Sequence, residues 1–174
     1  MRGLIHIYTG DGKGKTTASI GLMVRFLSYG KKVLFVQMQK ARPSGEIGFL
    51  EKNINIKIMR CTTIKKFIWK MNEEEKKEYI RQHREGFNKA INEIKNNEYD
   101  LVVFDEIIGA ISQKAIIEKE VIEFLTHKED NIEVVLTGRN ASKNLIDIAD
   151  YVSDIKCVKH PFKKGIISRK GVEF

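Results

Sequence analysis

Six short apolar segments alternate with longer segments in which apolar residues recur at three- and four-residue spacing. The apolar segments are residues 3–8, 33–38, 54–60, 101–105, 132–137 and 151–158. Apolar strands that alternate with helices are typical of a parallel sheet with helices on both faces. The pattern therefore predicts an α/β fold built on a mostly parallel sheet, with the strands buried.

The strands are expected to differ in their place in the sheet. Residues 33–36 and 101–104 contain no polar residue, which is typical of interior strands. In the segment 54–60 the apolar residues alternate. Ile54, Ile56 and Ile58 are therefore expected to face one side of a strand near the edge of the sheet.

Helices are predicted in four segments. Residues 16–29 are largely apolar and end at Gly30, a residue type that stops helices in the left-handed conformation. Asn72 precedes three glutamates and is expected to cap a long helix. The apolar stripe of that helix consists of Ile80, His83, Phe87, Ala90, Ile91 and Ile94. Shorter helices are expected around 116–127 and 142–149.

The composition indicates one globular domain that spans residues 1–174. Hydrophobic residues make up 42% and charged residues 31% of the chain, and two prolines and 13 glycines leave no room for a long flexible linker. There are 31 basic and 23 acidic residues, so the net charge is +8. This charge favours an anionic partner: a nucleotide, a nucleic acid or a membrane surface.

The sequence predicts a soluble cytoplasmic protein. Cys61 and Cys157 are far apart and form no CxxC pair, so neither a disulfide framework nor a zinc site is indicated. No segment approaches the roughly 20 apolar residues of a membrane span. The first residues also lack the basic head and apolar stretch of a secretory signal.

A glycine-rich segment directly after the first strand has the composition of a phosphate-binding loop. It consists of Gly10, Asp11, Gly12, Lys13, Gly14, Lys15, Thr16 and Thr17. Its glycines let successive backbone N–H groups point at one anion, and the helix N-terminus that follows adds partial positive charge. Lys15 is expected to bind phosphate oxygens and Thr16 to bind magnesium. The strand before and the helix after argue against an ordinary glycine-rich turn.

This loop is one residue shorter than the general motif. The motif has four residues between its first glycine and its Gly-Lys pair, whereas three residues separate Gly10 from Gly14. We therefore expect the loop to hold the phosphate chain differently from the loop of an ordinary ATPase.

Charged residues follow two other buried strands. Asp105 and Glu106 follow the buried residues 101–104, at the sheet edge where parallel sheets bind ligands, and their carboxylates suit magnesium. Arg139 follows the strand 132–137 and is predicted to reach the same crevice and bind anionic oxygens. A surface arginine in a turn is an equally good interpretation of the sequence alone.

Residues 53–71 contain no acid and combine cations with aromatic residues. Lys57, Arg60, Lys65, Lys66 and Lys70 surround Phe67 and Trp69, the only tryptophan. This composition favours a loop that covers a ligand, or a surface that stacks the bases of single-stranded nucleic acid. Packing of Phe67 and Trp69 in the core is the alternative. The four histidines are dispersed and indicate no metal cluster.

Together these residues resemble the ATP:corrinoid adenosyltransferases of the P-loop type, along nearly the whole chain. The resemblance rests on the short glycine-rich loop, Val36-Gln37, Phe67 with Trp69, Asp105-Glu106, Thr137-Gly138-Arg139 and the closing Gly171-Val172-Glu173-Phe174. It implies a RecA-like P-loop fold, a homodimer, and transfer of the 5'-deoxyadenosyl group of ATP to the cobalt of a reduced corrinoid. It also implies that the nucleotide is bound in the reverse sense, with triphosphate as the leaving group. Cobalt(I) is a strong nucleophile, so this reaction needs positioning rather than a general base.

The resemblance further implies the roles of individual residues. Lys15 and Arg139 would be catalytic, the loop residues 10–17 and Arg25 would bind the nucleotide, and Thr16 and Glu106 would hold magnesium. Phe67 and Trp69 would lie beside the corrinoid, where loss of the lower axial ligand makes cobalt(II) easier to reduce. A flavoprotein reductant is the implied partner. Lys66 stands where the family commonly has glycine, and the segment that precedes the first strand in longer members is expected to be missing.

Two other functions fit parts of the sequence. A small-molecule kinase or ATPase would use Lys15, Thr16 and Asp105 for phosphoryl transfer and form ADP instead of triphosphate. A nucleic-acid-binding module would use the basic aromatic segment and the cations near the C-terminus. Those cations are Lys156, Lys159, Lys163, Lys164, Arg169 and Lys170. A solvated face explains their charge equally well, so neither nucleic acid nor a membrane is the expected partner.

Overall fold

The computed structural model describes residues 2–40, 45–66 and 68–172, in which six strands form one sheet with every pairing parallel. The strands are β1 (Ile5–Thr9), β2 (Val33–Gln37), β3 (Ile56–Arg60), β4 (Leu101–Asp105), β5 (Glu133–Thr137) and β6 (Tyr151–Asp154). Their order across the sheet is β3-β2-β4-β5-β1-β6. The glycine-rich loop follows β1. The next strand in the chain, β2, is not a neighbour of β1 in the sheet, because β4 and β5 lie between them.

Helices cover both faces of this sheet. They are α1 (Lys15–Ser28), α2 (Gly45–Leu50), α3 (Glu73–Asn96), α4 (Ile107–Ser112), α5 (Glu118–His127) and α6 (Lys143–Ile148), with short 3-10 helices at Ile68–Lys70 and Pro161–Lys164. Within the described ranges, no helix has the length and apolarity that a bilayer crossing requires.

Two apolar clusters hold the layers together, because alternate side chains of a strand point to opposite faces. On one face, Phe35 and Val103 pack with Met23 of α1 and Ile47 of α2. On the other, a larger cluster joins the strands to α3, α4, α5 and α6, with Phe104 among its buried residues. The predicted α/β fold with helices on both faces is confirmed.

The interior and edge strands lie where the polarity pattern predicts them. Every residue of β2 and β4 is buried, and both strands have neighbours on each side. The strand β3 forms one edge, as the alternation in 54–60 indicates. Ile54, however, is 97% exposed and lies outside the strand. The Asn53 side chain accepts a hydrogen bond from the Asn55 backbone N–H (2.9 Å), and this turn delays the start of β3 to Ile56.

The last predicted strand is corrected in length and in burial. It ends at Asp154 rather than at residue 158, and all four of its residues are exposed. Beyond Asp154 the chain turns to the glycine-rich loop, where the Ile155 carbonyl accepts a hydrogen bond from the Gly12 N–H (2.7 Å). The short strand is therefore the second edge of the sheet and not a buried element.

The predicted helices are present, and two further helices were missed. Asn72 caps α3 in a capping box with Glu75, and the Ser142 side chain caps α6. Gly30 has a φ of +70° just past α1. The missed helices, α2 and α4, have six residues each, which is too short for a periodic apolar pattern to be recognised.

One member of the α3 stripe, His83, is expected to make stability depend on pH. It is fully buried, its Nδ1 donates to the Tyr79 carbonyl (2.7 Å), and burial lowers its pKa from 6.5. The unfolded chain therefore takes up this proton first as the pH falls, and the free energy of unfolding decreases below about pH 6.5, by at most about 1.4 kcal/mol per pH unit for one proton.

Urea unfolding of the wild type and of His83→Phe at pH 7 and pH 5 measures this contribution. We expect the wild type to lose more stability between the two pH values than the variant loses. His6, His127 and His160 are retained in both proteins and provide the common background. Equal losses would show that His83 is not the responsible group.

Candidate active site

A cavity of about 580 Å³ lies at the carboxyl edge of the sheet. Sequence-predicted residues that line it are Asp11, Gly12, Lys13, Gly14, Lys15, Thr16, Thr17, Glu106 and Arg139. These residues come from the loops after β1, β4 and β5, three strands that end side by side in the order β4-β5-β1. The parallel sheet thus brings residues that are more than 120 positions apart in sequence to one crevice.

The glycine-rich loop has a backbone that only glycine adopts without strain. Gly10 has a φ of +99°, and a Cβ atom there would lie 2.5 Å from the carbonyl oxygen of Ile155. Gly14 has a φ of +123° and precedes α1, whose N-terminus has no side-chain cap and no acid in its first turn. The first N–H groups of α1 are therefore directed to the cavity, where they favour an anion.

Lys15 is held inside the curve of this loop. Its side chain belongs to the first turn of α1, and the residue is only 7% exposed. The ammonium group donates to the carbonyls of Gly10 (2.7 Å) and Gly12 (2.8 Å). Burial lowers the pKa of Lys15, and the nearby Glu106 carboxylate opposes that shift. The cation is thus positioned beside the first N–H groups of α1.

A hydrogen-bond network connects the glycine-rich loop with β4 through the intervening strand β5. Asp105 Oδ1 accepts from the hydroxyls of Thr16 (2.8 Å) and Thr137 (2.9 Å). The Thr137 oxygen accepts in turn from the backbone N–H of Glu106 (2.9 Å). The second oxygen of Asp105, Oδ2, is buried and forms no hydrogen bond with the described residues. A buried carboxylate oxygen in this state is suited to a cation.

Glu106 has an unusual backbone conformation. Its φ of +62° is left-handed, and it is the residue that precedes α4. Burial and the neighbouring Asp105 carboxylate raise the pKa of Glu106, whereas Lys15, Lys40 and Arg139 lower it. A non-glycine residue keeps this conformation only where its surroundings impose it, so the backbone of Glu106 has a defined place in the cavity wall.

The oxygen atoms of this network fit magnesium. Mg²⁺ prefers oxygen ligands, and in nucleotide sites it binds one or two protein side chains together with water and phosphate oxygens. The hydroxyl of Thr16, the Oδ2 atom of Asp105 and the carboxylate of Glu106 provide such ligands, with the Lys40 ammonium group 3.8 Å from Oδ2. Among the described residues, no three His, Cys, Asp or Glu side chains are grouped as a protein-only metal site.

The other predicted residues differ in their distance from the cavity. Arg139 lines it, and its charge acts on both Lys15 and Glu106. Arg25 lies in the last turn of α1 and does not line the cavity. Trp69 lies in the 3-10 helix Ile68–Lys70 and is 71% exposed, so it is not a core residue. Phe67, Glu173 and Phe174 lie outside the described residues.

Several cavity residues were missed from the sequence. Lys40 and Glu46 approach from the chain that follows β2, and His160 and Val172 approach from the end of the chain. The Lys13 ammonium group donates to the Val172 carbonyl (2.8 Å), which attaches residues 171–172 to the glycine-rich loop. Lys40 follows the carboxyl end of a buried strand, but its place at this cavity depends on the strand order. No local sequence pattern predicts that His160 and Val172 lie at the cavity.

Comparison with solved structures supports the fold. A KaiC-like protein from the hyperthermophilic archaeon Pyrococcus horikoshii superposes with a TM-score of 0.57 over 99% of this chain and 76% of its own, at 15% sequence identity. At this identity the likeness concerns the fold alone. It agrees with the predicted RecA-like P-loop class, which the parallel sheet and the loop between β1 and α1 also indicate.

Comparison of sequences is more specific. A corrinoid adenosyltransferase from Sinorhizobium sp. is 35% identical over 99% of this chain and 81% of its own length. The corrinoid adenosyltransferase of Escherichia coli strain K12 is 31% identical over 99% of this chain and 86% of its own. The family model described as ATP:corrinoid adenosyltransferase BtuR/CobO/CobP matches residues 1–174. The chain therefore belongs to the ATP:corrinoid adenosyltransferase family.

Proposed function

We propose that this protein transfers the 5'-deoxyadenosyl group of ATP to the cobalt of a reduced corrinoid and releases triphosphate. The observation that carries the proposal is the cavity at the start of α1, with Lys15 held inside a shortened glycine-rich loop, in a member of this enzyme family. The enzyme is accordingly a transferase with a P-loop nucleotide site.

The reaction requires binding and charge stabilisation by the protein. The cobalt(I) electron pair forms the bond to C5' of ATP, the C5'–O bond breaks, and triphosphate leaves with the bonding electrons. The cobalt is thereby oxidised from the +1 to the +3 state. The N–H groups at the start of α1, Lys15 and Arg139 are proposed to bind the triphosphate oxygens, so that they stabilise the charge that develops on the leaving group.

We also propose that Thr16 and Glu106 hold magnesium, with Asp105 beside them. When bound, the ion would neutralise part of the triphosphate charge. Asp105 fixes the Thr16 hydroxyl by its 2.8 Å hydrogen bond, and the backbone N–H of Glu106 is fixed by Thr137. These hydrogen bonds position the Thr16 hydroxyl and the backbone of Glu106 without the metal.

Further parts of the proposal concern the corrinoid and the partners. Phe67 and Trp69 are proposed to lie beside the corrinoid, and Arg25 to take part in nucleotide binding. Support for the first comes from the exposure of Trp69. A homodimer, a flavoprotein reductant and a cytoplasmic location complete the proposal.

Product analysis tests the proposed function. The protein is incubated with magnesium-ATP and chemically reduced cobalamin, and the absorbance of a new cobalt–carbon bond is followed together with inorganic triphosphate. We expect both products in equal amounts. Formation of ADP without a cobalt–carbon bond would instead support phosphoryl transfer. Salt-sensitive binding of oligonucleotides without either reaction would support the nucleic-acid function.

Glu106→Gln tests the proposed magnesium ligand. The variant keeps the size of the side chain and loses its charge. We expect a lower rate and a rise of about tenfold or more in the magnesium concentration needed for half-maximal activity. The magnesium titration of Asp105→Asn is the comparison. Asp105 is the neighbouring carboxylate, and its Oδ1 already accepts two hydrogen bonds within the protein. An unchanged magnesium titration in Glu106→Gln would transfer the ligand role to Asp105 or to water.

A further inference from the structure

A lysine outside the glycine-rich loop lies at the opposite side of the cavity. Lys40 follows β2, whereas Lys15 follows β1, and the ends of β4 and β5 lie between them. With strands about 4.8 Å apart, three strand spacings place the two loops roughly 14 Å from each other. The cavity is thus bounded by cations on two sides, with Asp105 and Glu106 at the strand end between them.

Two carboxylates lie beside the Lys40 ammonium group. Its Nζ lies 3.3 Å from Glu46 Oε1 of α2 and 3.8 Å from Asp105 Oδ2, the oxygen that forms no hydrogen bond. An ammonium group has three N–H donors. The two carboxylates, on α2 and β4, can accept at most one donor each. One N–H donor therefore remains for a ligand in the cavity that Lys40 lines.

We propose that Lys40 is a catalytic residue that binds the leaving triphosphate on the side of the cavity opposite Lys15. This inference rests on the proposed function, because it concerns the same triphosphate. Inorganic triphosphate carries several negative charges, and one lysine at the loop contacts only part of it. Lys40 supplies a further cation, in addition to Lys15 and Arg139, for the charge that develops as the C5'–O bond breaks. Glu46 is then a positioning residue that acts through Lys40.

Binding of inorganic triphosphate in the presence of magnesium tests this role apart from turnover. We expect Lys40→Gln to weaken triphosphate binding in calorimetry by about ten- to a hundredfold, the effect of one charge-assisted hydrogen bond. Lys40→Arg keeps the charge and should recover much of the affinity. Lys31→Gln is the matched control, because Lys31 is also paired with a carboxylate (Asp100, 2.8 Å) but precedes β2, at the other end of the strand.

Glu46→Gln distinguishes ligand binding from a structural role. If Lys40 only holds α2 in place through this ion pair, Glu46→Gln should weaken triphosphate binding as much as Lys40→Gln does. If Lys40 binds triphosphate, the loss of Glu46 should have a smaller effect, because the cation remains. Thermal melting curves verify that all variants are folded. If Lys40→Gln does not fold, triphosphate binding is measured with Lys40→Ala instead.

The outcomes separate the two proposals. A wild type that forms no triphosphate from ATP and cobalt(I) contradicts the proposed function. A wild type that forms and binds triphosphate, together with a folded Lys40→Gln that binds it equally well, contradicts the role of Lys40 alone. Equal losses in Lys40→Gln and Glu46→Gln also contradict direct contact.

Discussion

Lys15→Ala is expected to lower the rate of adenosyl transfer by about a hundred- to a thousandfold, the usual effect of removing one group that stabilises the charge of the transition state. The Lys15 ammonium group lies inside the loop, held by the carbonyls of Gly10 and Gly12. Among the described residues, no other side chain donates hydrogen bonds to both of these carbonyls. Alanine removes the cation that lies closest to the N–H groups of α1, and Arg139 and Lys40 remain in the cavity wall.

The rate is measured as the appearance of the cobalt–carbon bond from cobalt(I), so that reduction does not limit it. Lys15 is not part of either apolar cluster, and alanine is a good residue in the first turn of a helix. The melting curve should therefore remain cooperative. Lys143→Ala, an exposed lysine on α6, is the control for a general effect of charge. A folded Lys15→Ala with near wild-type turnover would contradict the assignment of the loop.

The framework of the fold could be predicted because its signals are local. A strand such as β4 is apolar throughout, and a cap such as Asn72 with Glu75 lies within four residues. The errors occurred where a tertiary contact or a short turn decides the structure. The Asn53 turn shortens β3, and contact with the glycine-rich loop ends β6. Neither contact has a periodic signal in the sequence.

The site could be predicted in part for a similar reason. The loop residues and Glu106 follow strands directly, so their place at the carboxyl edge follows from a parallel sheet. Lys40 and Glu46 required knowledge of the strand order, because β2 is separated from β1 by two strands. His160 and Val172 reach the cavity from about 145 or more positions beyond Lys15, through a segment without regular periodicity.

Trp69→Ala is expected to impair the reaction that starts from cobalt(II) by about tenfold or more, the effect of losing one aromatic contact with a ligand. If Trp69 lies beside the corrinoid and helps to remove its lower axial ligand, reduction of cobalt(II) depends on it. The reaction from pre-reduced cobalt(I) should suffer much less, because the nucleophile already exists. The proposed contacts of Lys15, Thr16 and Glu106 with the leaving group are unchanged in that assay. A phosphoryl-transfer enzyme has no evident use for such an exposed tryptophan.

Stability measurements distinguish this role from core packing. Removal of a buried aromatic side chain costs about 3–5 kcal/mol, whereas surface substitutions usually change stability by no more than about 0.5 kcal/mol. Trp69 is 71% exposed, so we expect Trp69→Ala to melt close to the wild type. Tyr29→Ala, at 81% exposure next to the end of α1, is the matched control and should change neither assay. Combination with Phe67→Ala should deepen the defect from cobalt(II) without a matching loss from cobalt(I). Equal losses in both assays, together with a lower melting temperature, would instead assign the aromatic pair to the stability of its loop.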